Sequence, residues 1–274
     1  MTQRYDLDDL LYLMARLRDP DGGCPWDLVQ TYKTIAASTI EEAYEVVDAI
    51  ETEDFKQLRE ELGDFLFQVI FYSQLAREEG RFDFHDIIHS VTDKLIRRHP
   101  HVFPNGELQA RFEGERTESD ELAIKAQWEV LKQQEREDKG FSGVLADVPI
   151  AMPALPRAAK LQKRAARVGF DWPDIEPVFA KISEELDEVK EALQQGDQAA
   201  VNEELGDLLF SVVNLARHLK SDPETSLRQA NAKFERRFEY IEACLRRDNL
   251  AFEQVSLERL DQLWDQTKQA VNLS

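Results

Sequence analysis

A pattern of acids occurs twice in this chain, and that duplication constrains the fold more than any other feature. Glu41-Glu42-Ala43-Tyr44-Glu45 is followed by Glu60-Glu61-Leu62-Gly63-Asp64. The same arrangement returns 143 residues later as Glu184-Glu185-Leu186-Asp187-Glu188 and Glu203-Glu204-Leu205-Gly206-Asp207. Downstream the offsets shrink slightly, as short loop deletions would make them: Lys94 and Arg98 answer to Lys233 and Arg237, and Trp128 and Lys132 to Trp264 and Lys268. Self-similarity of this kind marks a tandem duplication of one structural module. With 274 residues, each copy has enough chain for a core of its own.

The module is helical. Leu7, Leu10, Leu11, Met14 and Leu17 have helical apolar spacing, and Asp19-Pro20-Asp21-Gly22-Gly23 stops that helix. Further helical patterns run over 32–50, 55–79, 84–99 and 122–137, with Asp54 placed to cap the second of these. Residues 104–120 are polar and irregular. Gly140, Gly143, Pro149, Pro153 and Pro156 then mark a linker. Beyond it come patterns over 177–194, 199–219, 224–247 and 256–270, and no run of alternating strand residues. The expectation is an all-α protein with one helical bundle module in 1–139, a linker in 140–156 and a second module in 157–274.

Bulk properties exclude several functions. A formal charge of −20 is wrong for a general nucleic-acid binder, which needs a Lys/Arg-rich surface. No stretch approaches the roughly 20 apolar residues that span a bilayer. The first 19 residues carry acids and no small-residue cleavage site, so they read as a helix rather than a signal peptide, and the expected location is the cytoplasm. Cys24 and Cys244 are far apart and lack ligand spacing, which makes them packing residues rather than a disulfide or zinc site.

The repeated acids point to a metal. Residues three and four apart share a helix face, so Glu184, Glu185 and Glu188 present carboxylates together, as do Glu204 and Asp207 on the next helix. The connection Gln194-Gln195-Gly196-Asp197 is short enough to make the two helices antiparallel neighbours, which brings Glu185, Glu188, Glu204 and Asp207 together. Any single one of these acids is accounted for as the solvated face of an amphipathic helix. Two spaced copies of a five-acid pattern are not. Converging carboxylates repel unless a cation neutralises them, and oxygen-only ligands favour Mg2+, or Mn2+, over zinc or copper. A metal on such acids also lets an acidic protein hold a polyphosphate. Lys181, Lys233 and Arg237 are candidate phosphate contacts, and Trp264 and Trp128 candidate platforms for a base.

The EExxE, spacer, EExxD arrangement resembles the MazG-type nucleoside triphosphate pyrophosphohydrolases of the all-α NTP pyrophosphatase superfamily. Cys24-Pro25-Trp26-Asp27, the segment from Lys94 to His101, Val168-Gly169-Phe170-Asp171-Trp172 and the segment from Lys233 to Phe238 carry the resemblance along nearly the whole chain. The resemblance implies hydrolysis of nucleoside triphosphates to monophosphate and diphosphate, with broad base tolerance. It implies that Glu185, Glu188, Glu204 and Asp207 hold Mg2+, with Glu42, Glu45, Glu61 and Asp64 as counterparts. Lys181, Lys233, Arg237, Trp264 and Lys268 would contact the nucleotide. Glu184 or Glu203 is left to orient the attacking water as a base. Ser38 stands where the second module has Lys181, so the second module is expected to be the main catalytic centre. A homodimer through the long apolar stripes is the expected assembly.

Two other readings compete. A non-catalytic nucleotide or alarmone sensor acting through a protein partner would keep the same acids and bind without turnover. A diiron bundle would need Glu-x-x-His on two helices, whereas the third positions here are Asp64 and Asp207 and the five histidines lie elsewhere. No GxxxxGK[ST] motif is present, so a P-loop ATPase is excluded.

Overall fold

The computed structural model describes residues 4–111, 118–138 and 140–270, with the side chains of 118–122, 125, 126, 269 and 270 left aside. Every regular element among the described residues is helical, in keeping with the all-α expectation. The chain forms two compact units, Met1–Leu131 and Lys132–Ser274.

In the first unit, α1 (Leu7–Leu17), the single turn α2 (Pro25–Leu28), α3 (Ala36–Glu51), α4 (Phe55–Glu78) and α5 (Phe84–Arg98) follow in order. Helix α4 is the hub, against which α1, α3 and α5 pack. Met14, Ile35, Ile70, Phe71, Leu75 and Phe84 form the core, flanked by Leu10, Leu11, Tyr32, Phe67 and Tyr72. Asp6 and Asp83 each begin a helix with a reciprocal capping box, satisfying amides that have no partner inside the helix. Helix α6 (Glu118–Asp138) follows a 3-10 turn at Pro104–Gly106 and runs across the boundary of the two units. It begins inside the stretch expected to be irregular, of which residues 112–117 lie outside the described part.

The second unit contains α7 (Ala154–Arg167), α8 (Glu176–Gln195), α9 (Gln198–His218), α10 (Pro223–Arg247) and α11 (Leu257–Ala270). Helix α9 packs on α7, α8 and α10, as α4 does on its neighbours. Ile241, Cys244, Leu245 and Leu263 form a core between α10 and α11. Both cysteines are free, Cys244 buried and Cys24 half-buried, as packing residues should be. Helix α7 was passed over in the sequence because prolines mark its start. Pro156 falls in the first turn, where a residue without an amide hydrogen costs no helical hydrogen bond.

The two acidic hairpins, α3–α4 and α8–α9, turn differently. Between α8 and α9, Gly196 takes the left-handed conformation with φ 71° and Asp197 caps α9 through the amides of Ala199 and Ala200. Between α3 and α4 the cap is Asp54, but the left-handed position is held by Glu53 at φ 56°. A side chain there carries a steric penalty that glycine lacks. Glu53→Gly is therefore expected to stabilise the first unit by about 0.5–1 kcal/mol, read as a higher midpoint in urea with an unchanged slope.

In each unit a charged bridge ties the loop after the first helix to the far end of the hub helix. Arg18 caps α1, with a side chain only 7% exposed, and donates to both carboxylate oxygens of Glu78 at the end of α4, at 2.6 to 3.2 Å. It also donates to the Asp27 carbonyl and lies over the Phe71 ring, 5.4 Å from its centroid. Burial pushes the Glu78 carboxyl up, but the hydrogen bonds from Arg18 and Gln74 outweigh it and hold the group below the ordinary carboxylate value. In the second unit the bridge has the opposite sense. Asp171, in the loop after α7, accepts from Arg217 near the end of α9 at 2.8 Å, with His218 beside the pair. The Arg217 hydrogen bonds hold Asp171 below its usual range.

Candidate metal and nucleotide site

Each acidic hairpin gathers three carboxylates. One oxygen from each of Glu185, Glu188 and Glu204 lies within 4.8 Å of the other two, and Glu42, Glu45 and Glu61 repeat the arrangement in the first unit. The geometry follows from the helices: two acids one turn apart on the first arm meet one acid on the antiparallel second arm. Sequence spacing put a fourth acid with them. Asp207 and Asp64 instead stand exposed one turn beyond Glu204 and Glu61, outside these groups, although the charge of Asp64 is felt at Glu42. Glu184 and Glu203 are also exposed, on the same helices as the gathered acids.

The clusters behave electrostatically as crowded anions. Burial is the largest cause raising the Glu188 carboxyl, and the charges of Glu185 and Glu204 push it the same way. Glu42 is raised first by burial and then by Asp64 and Glu45. Three hard oxygen ligands in this spacing suit a divalent cation such as Mg2+ or Mn2+, which would replace repulsion by attraction and leave coordination positions for phosphate oxygens.

The neutralisation now present differs between the units. In the second, Lys181 on α8 places its ammonium 2.8 Å from Glu185, whose side chain is 5% exposed, and 2.9 Å from Glu184. Those two hydrogen bonds, Glu185 first, raise the lysine above its ordinary value. In the first unit Ser38 occupies that position, and the acids rely on neutral donors: Gln57 to Glu61 at 3.3 Å, and Gln68 to Glu42. A groove of about 570 Å³ runs beside this cluster, lined by Ile40, Glu41, Tyr44, Glu45 and Gln57 among others.

The remaining sequence candidates sit on α10 and α11. The guanidinium of Arg237 lies 5.4 Å from the centre of the Trp264 ring, and Phe234 packs against the same ring at 5.2 Å. Arg237 Nε is buried and has no hydrogen-bond partner among the described residues, which leaves a charged donor facing inward without an acceptor. Lys233 is exposed one turn earlier. Lys268 is exposed and pairs with Asp265 at 2.7 Å. In the first unit the corresponding tryptophan, Trp128, packs edge-on against His99 at 5.0 Å, with His101 adjacent. Sequence reading missed Phe234 and His99 as neighbours of these tryptophans. The one available signal was their place in the Lys-to-aromatic segments on the preceding helices.

Comparison with known proteins places this arrangement. The MazG nucleotide pyrophosphohydrolase domain matches residues 30–103 and again 175–241, so each match contains one three-carboxylate cluster. The chain belongs to the MazG nucleotide pyrophosphohydrolase family. It is thus a hydrolase. A relative from Escherichia coli K12, a nucleoside triphosphate pyrophosphohydrolase, is 51% identical over 96% of this chain and 97% of its own length. A second, from Thermotoga maritima, a nucleoside triphosphate pyrophosphohydrolase/pyrophosphatase, is 42% identical over 95% of both chains. The protein YabN of Bacillus subtilis matches 94% of this chain at 40% identity with half of its own length. No helix among the described residues is long and apolar enough to cross a membrane.

Proposed function

We propose that the chain hydrolyses nucleoside triphosphates to nucleoside monophosphate and diphosphate, with a divalent cation, Mg2+ or Mn2+, at Glu185, Glu188 and Glu204 and with tolerance for different bases. The observation that carries this is the three-carboxylate cluster inside each MazG match. The names of the two full-length relatives give the reaction class. A cation at such a site supplies charge neutralisation to the triphosphate and Lewis acidity toward water. The protein's own groups do the rest. Lys181, Lys233 and Arg237 bind phosphate oxygens, the unpartnered Arg237 Nε being the donor most in need of one. Asp207 and Asp64, one turn beyond Glu204 and Glu61 on the same helices, complete the ligand sets once the cation is held. Glu184 or Glu203, both exposed to solvent, orients the attacking water and takes its proton.

Trp264, with Arg237 over one face, offers a flat surface that accepts any base, with Lys268 one turn beyond. Trp264→Ala is expected to raise the Michaelis constant about 10- to 100-fold for all four common nucleotides alike, since stacking contributes ~1–3 kcal/mol per base whatever its identity. A loss confined to one nucleotide would contradict this role. The second unit is read as the main catalytic centre because Lys181 has no counterpart at Ser38.

The hairpins also leave apolar side chains uncovered: Leu186, Leu193, Leu205 and Leu209 on α8 and α9, and Ile40, Tyr44, Leu62 and Phe65 on α3 and α4. Their helical spacing makes continuous stripes that a second copy would cover, so a homodimer is part of the reading. The deciding experiment is chromatographic analysis of products after incubation of the full chain with several nucleoside triphosphates and Mg2+. Monophosphate and diphosphate in equal amounts support the hydrolase. Binding without consumption would make the chain a nucleotide sensor.

A further inference from the structure

The two clusters are alike in their acids and unlike in what neutralises them. In the second unit the ammonium of Lys181 sits on Glu185, the most buried acid of the cluster, at the distance of a strong charge-assisted hydrogen bond. A divalent cation shared by Glu185, Glu188 and Glu204 would draw on the same buried carboxylate. Two cations held by one carboxylate repel each other, so the ammonium and the metal compete for it. Lys181 is able to leave, because its side chain is 34% exposed and hangs on a flexible four-carbon stem. In the first unit no described ion pair reaches the cluster's acids: Ser38 is too short and uncharged, and the amide donors Gln57 and Gln68 contribute no cation.

We infer that Lys181 is an internal counter-cation that holds the place of the divalent metal in the second unit. It is displaced from Glu185 when the metal binds, and only then becomes free to meet the incoming triphosphate. The inference rests on the reading of the cluster as a metal site. Its consequence is an order of events. In the second unit metal loading liberates a phosphate-binding cation, so metal and polyphosphate assist one another beyond their direct contact. In the first unit metal loading liberates nothing. Lys181 thereby stabilises the metal-free protein and opposes metal binding, the reverse of what a residue that serves substrate alone would do.

The test is Mn2+ binding without nucleotide, followed by the electron paramagnetic resonance of the free ion. It uses the full chain with the first cluster disabled by Glu42→Gln and Glu45→Gln. Adding Lys181→Met is expected to tighten Mn2+ binding about five-fold, the size of a partly exposed ion pair. It should also lower the melting temperature of the metal-free protein, and saturating Mn2+ should erase that difference. The converse is built in the first unit. With Glu185→Gln and Glu188→Gln in place, Ser38→Lys should weaken Mn2+ binding by a similar factor and raise the metal-free melting temperature. Unchanged Mn2+ affinity in Lys181→Met would overturn the inference. So would tighter binding with an unchanged metal-free melting temperature, which is simple repulsion of the metal by a nearby charge. Absence of Mn2+ binding in both backgrounds would overturn the metal site itself, and the inference with it. Ser38→Lys leaves the second unit's packing untouched and decides the matter should Lys181→Met not fold.

Discussion

Replacing Glu185 and Glu188 together by glutamine is expected to lower diphosphate release by about 10³-fold or more, while Glu42→Gln with Glu45→Gln leaves most of it. Glutamine keeps the size of the side chain and removes the charge that a divalent cation requires, so packing of α8 on α9 survives while the metal is lost. Metal assistance at a phosphoryl centre supplies several kcal/mol of transition-state stabilisation, and ~4 kcal/mol corresponds to the stated factor. The asymmetry follows from the missing ammonium at Ser38 and from the different surroundings of the tryptophans, an arginine and a phenylalanine around Trp264 but two histidines around Trp128. Product quantification by ion exchange, with circular dichroism to verify the fold, measures both variants. If the first-unit pair abolished turnover and the second-unit pair did not, the active centre would have been assigned to the wrong copy.

Arg18→Met is expected to destabilise the first unit by about 3 kcal/mol, a value below the upper range for broken buried pairs because Glu78 remains 34% exposed. The substitution leaves a carboxylate at the end of α4 without its partner and removes the donor to the Asp27 carbonyl. Loss of charge is only part of it, since the arginine stem also fills space against Phe71. The pH dependence separates the contributions. The Glu78 carboxyl is held below its ordinary value of 4.5, so the pair's stabilisation is present above that value and is lost as the pH falls through the depressed one. Urea titrations should therefore show the wild type losing more stability than Arg18→Met between neutral pH and the acid side of 4.5. Parallel curves would mean that Arg18 acts through packing alone.

Local periodicity carried the sequence reading a long way. Acids at helical spacing on two arms joined by a short connection have few ways to arrange themselves, and the hairpins α3–α4 and α8–α9 bring Glu42, Glu45 and Glu61, and Glu185, Glu188 and Glu204, together. What spacing did not carry was rotation about the helix axis. Glu204 and Asp207 are equivalent in a one-turn pattern, yet Glu204 is half-buried within the three-carboxylate group while Asp207 is exposed and outside it. That choice is made by the packing of α9 on α7 and α10. Contacts between distant segments were likewise hidden. The Arg237–Trp264 stack depends on how α11 folds back on α10, and the Arg18–Glu78 pair joins residues 60 apart. Helix α7 was hidden for a local reason, because prolines that end helices elsewhere are harmless in a first turn.

Those charged bridges bear on a hazard peculiar to duplicated chains. Two copies of one module offer each opening segment two hub helices to join, its own and its sibling's. Wrong choices give swapped assemblies, a characteristic failure of repeated modules. Arg18 at the end of α1 meets Glu78 on α4, whereas Asp171 beyond α7 meets Arg217 on α9. A swapped assembly would set arginine against arginine at one joint and carboxylate against carboxylate at the other, at partly buried positions where screening by water is incomplete. Opposite polarity at the two joints thus penalises such an exchange.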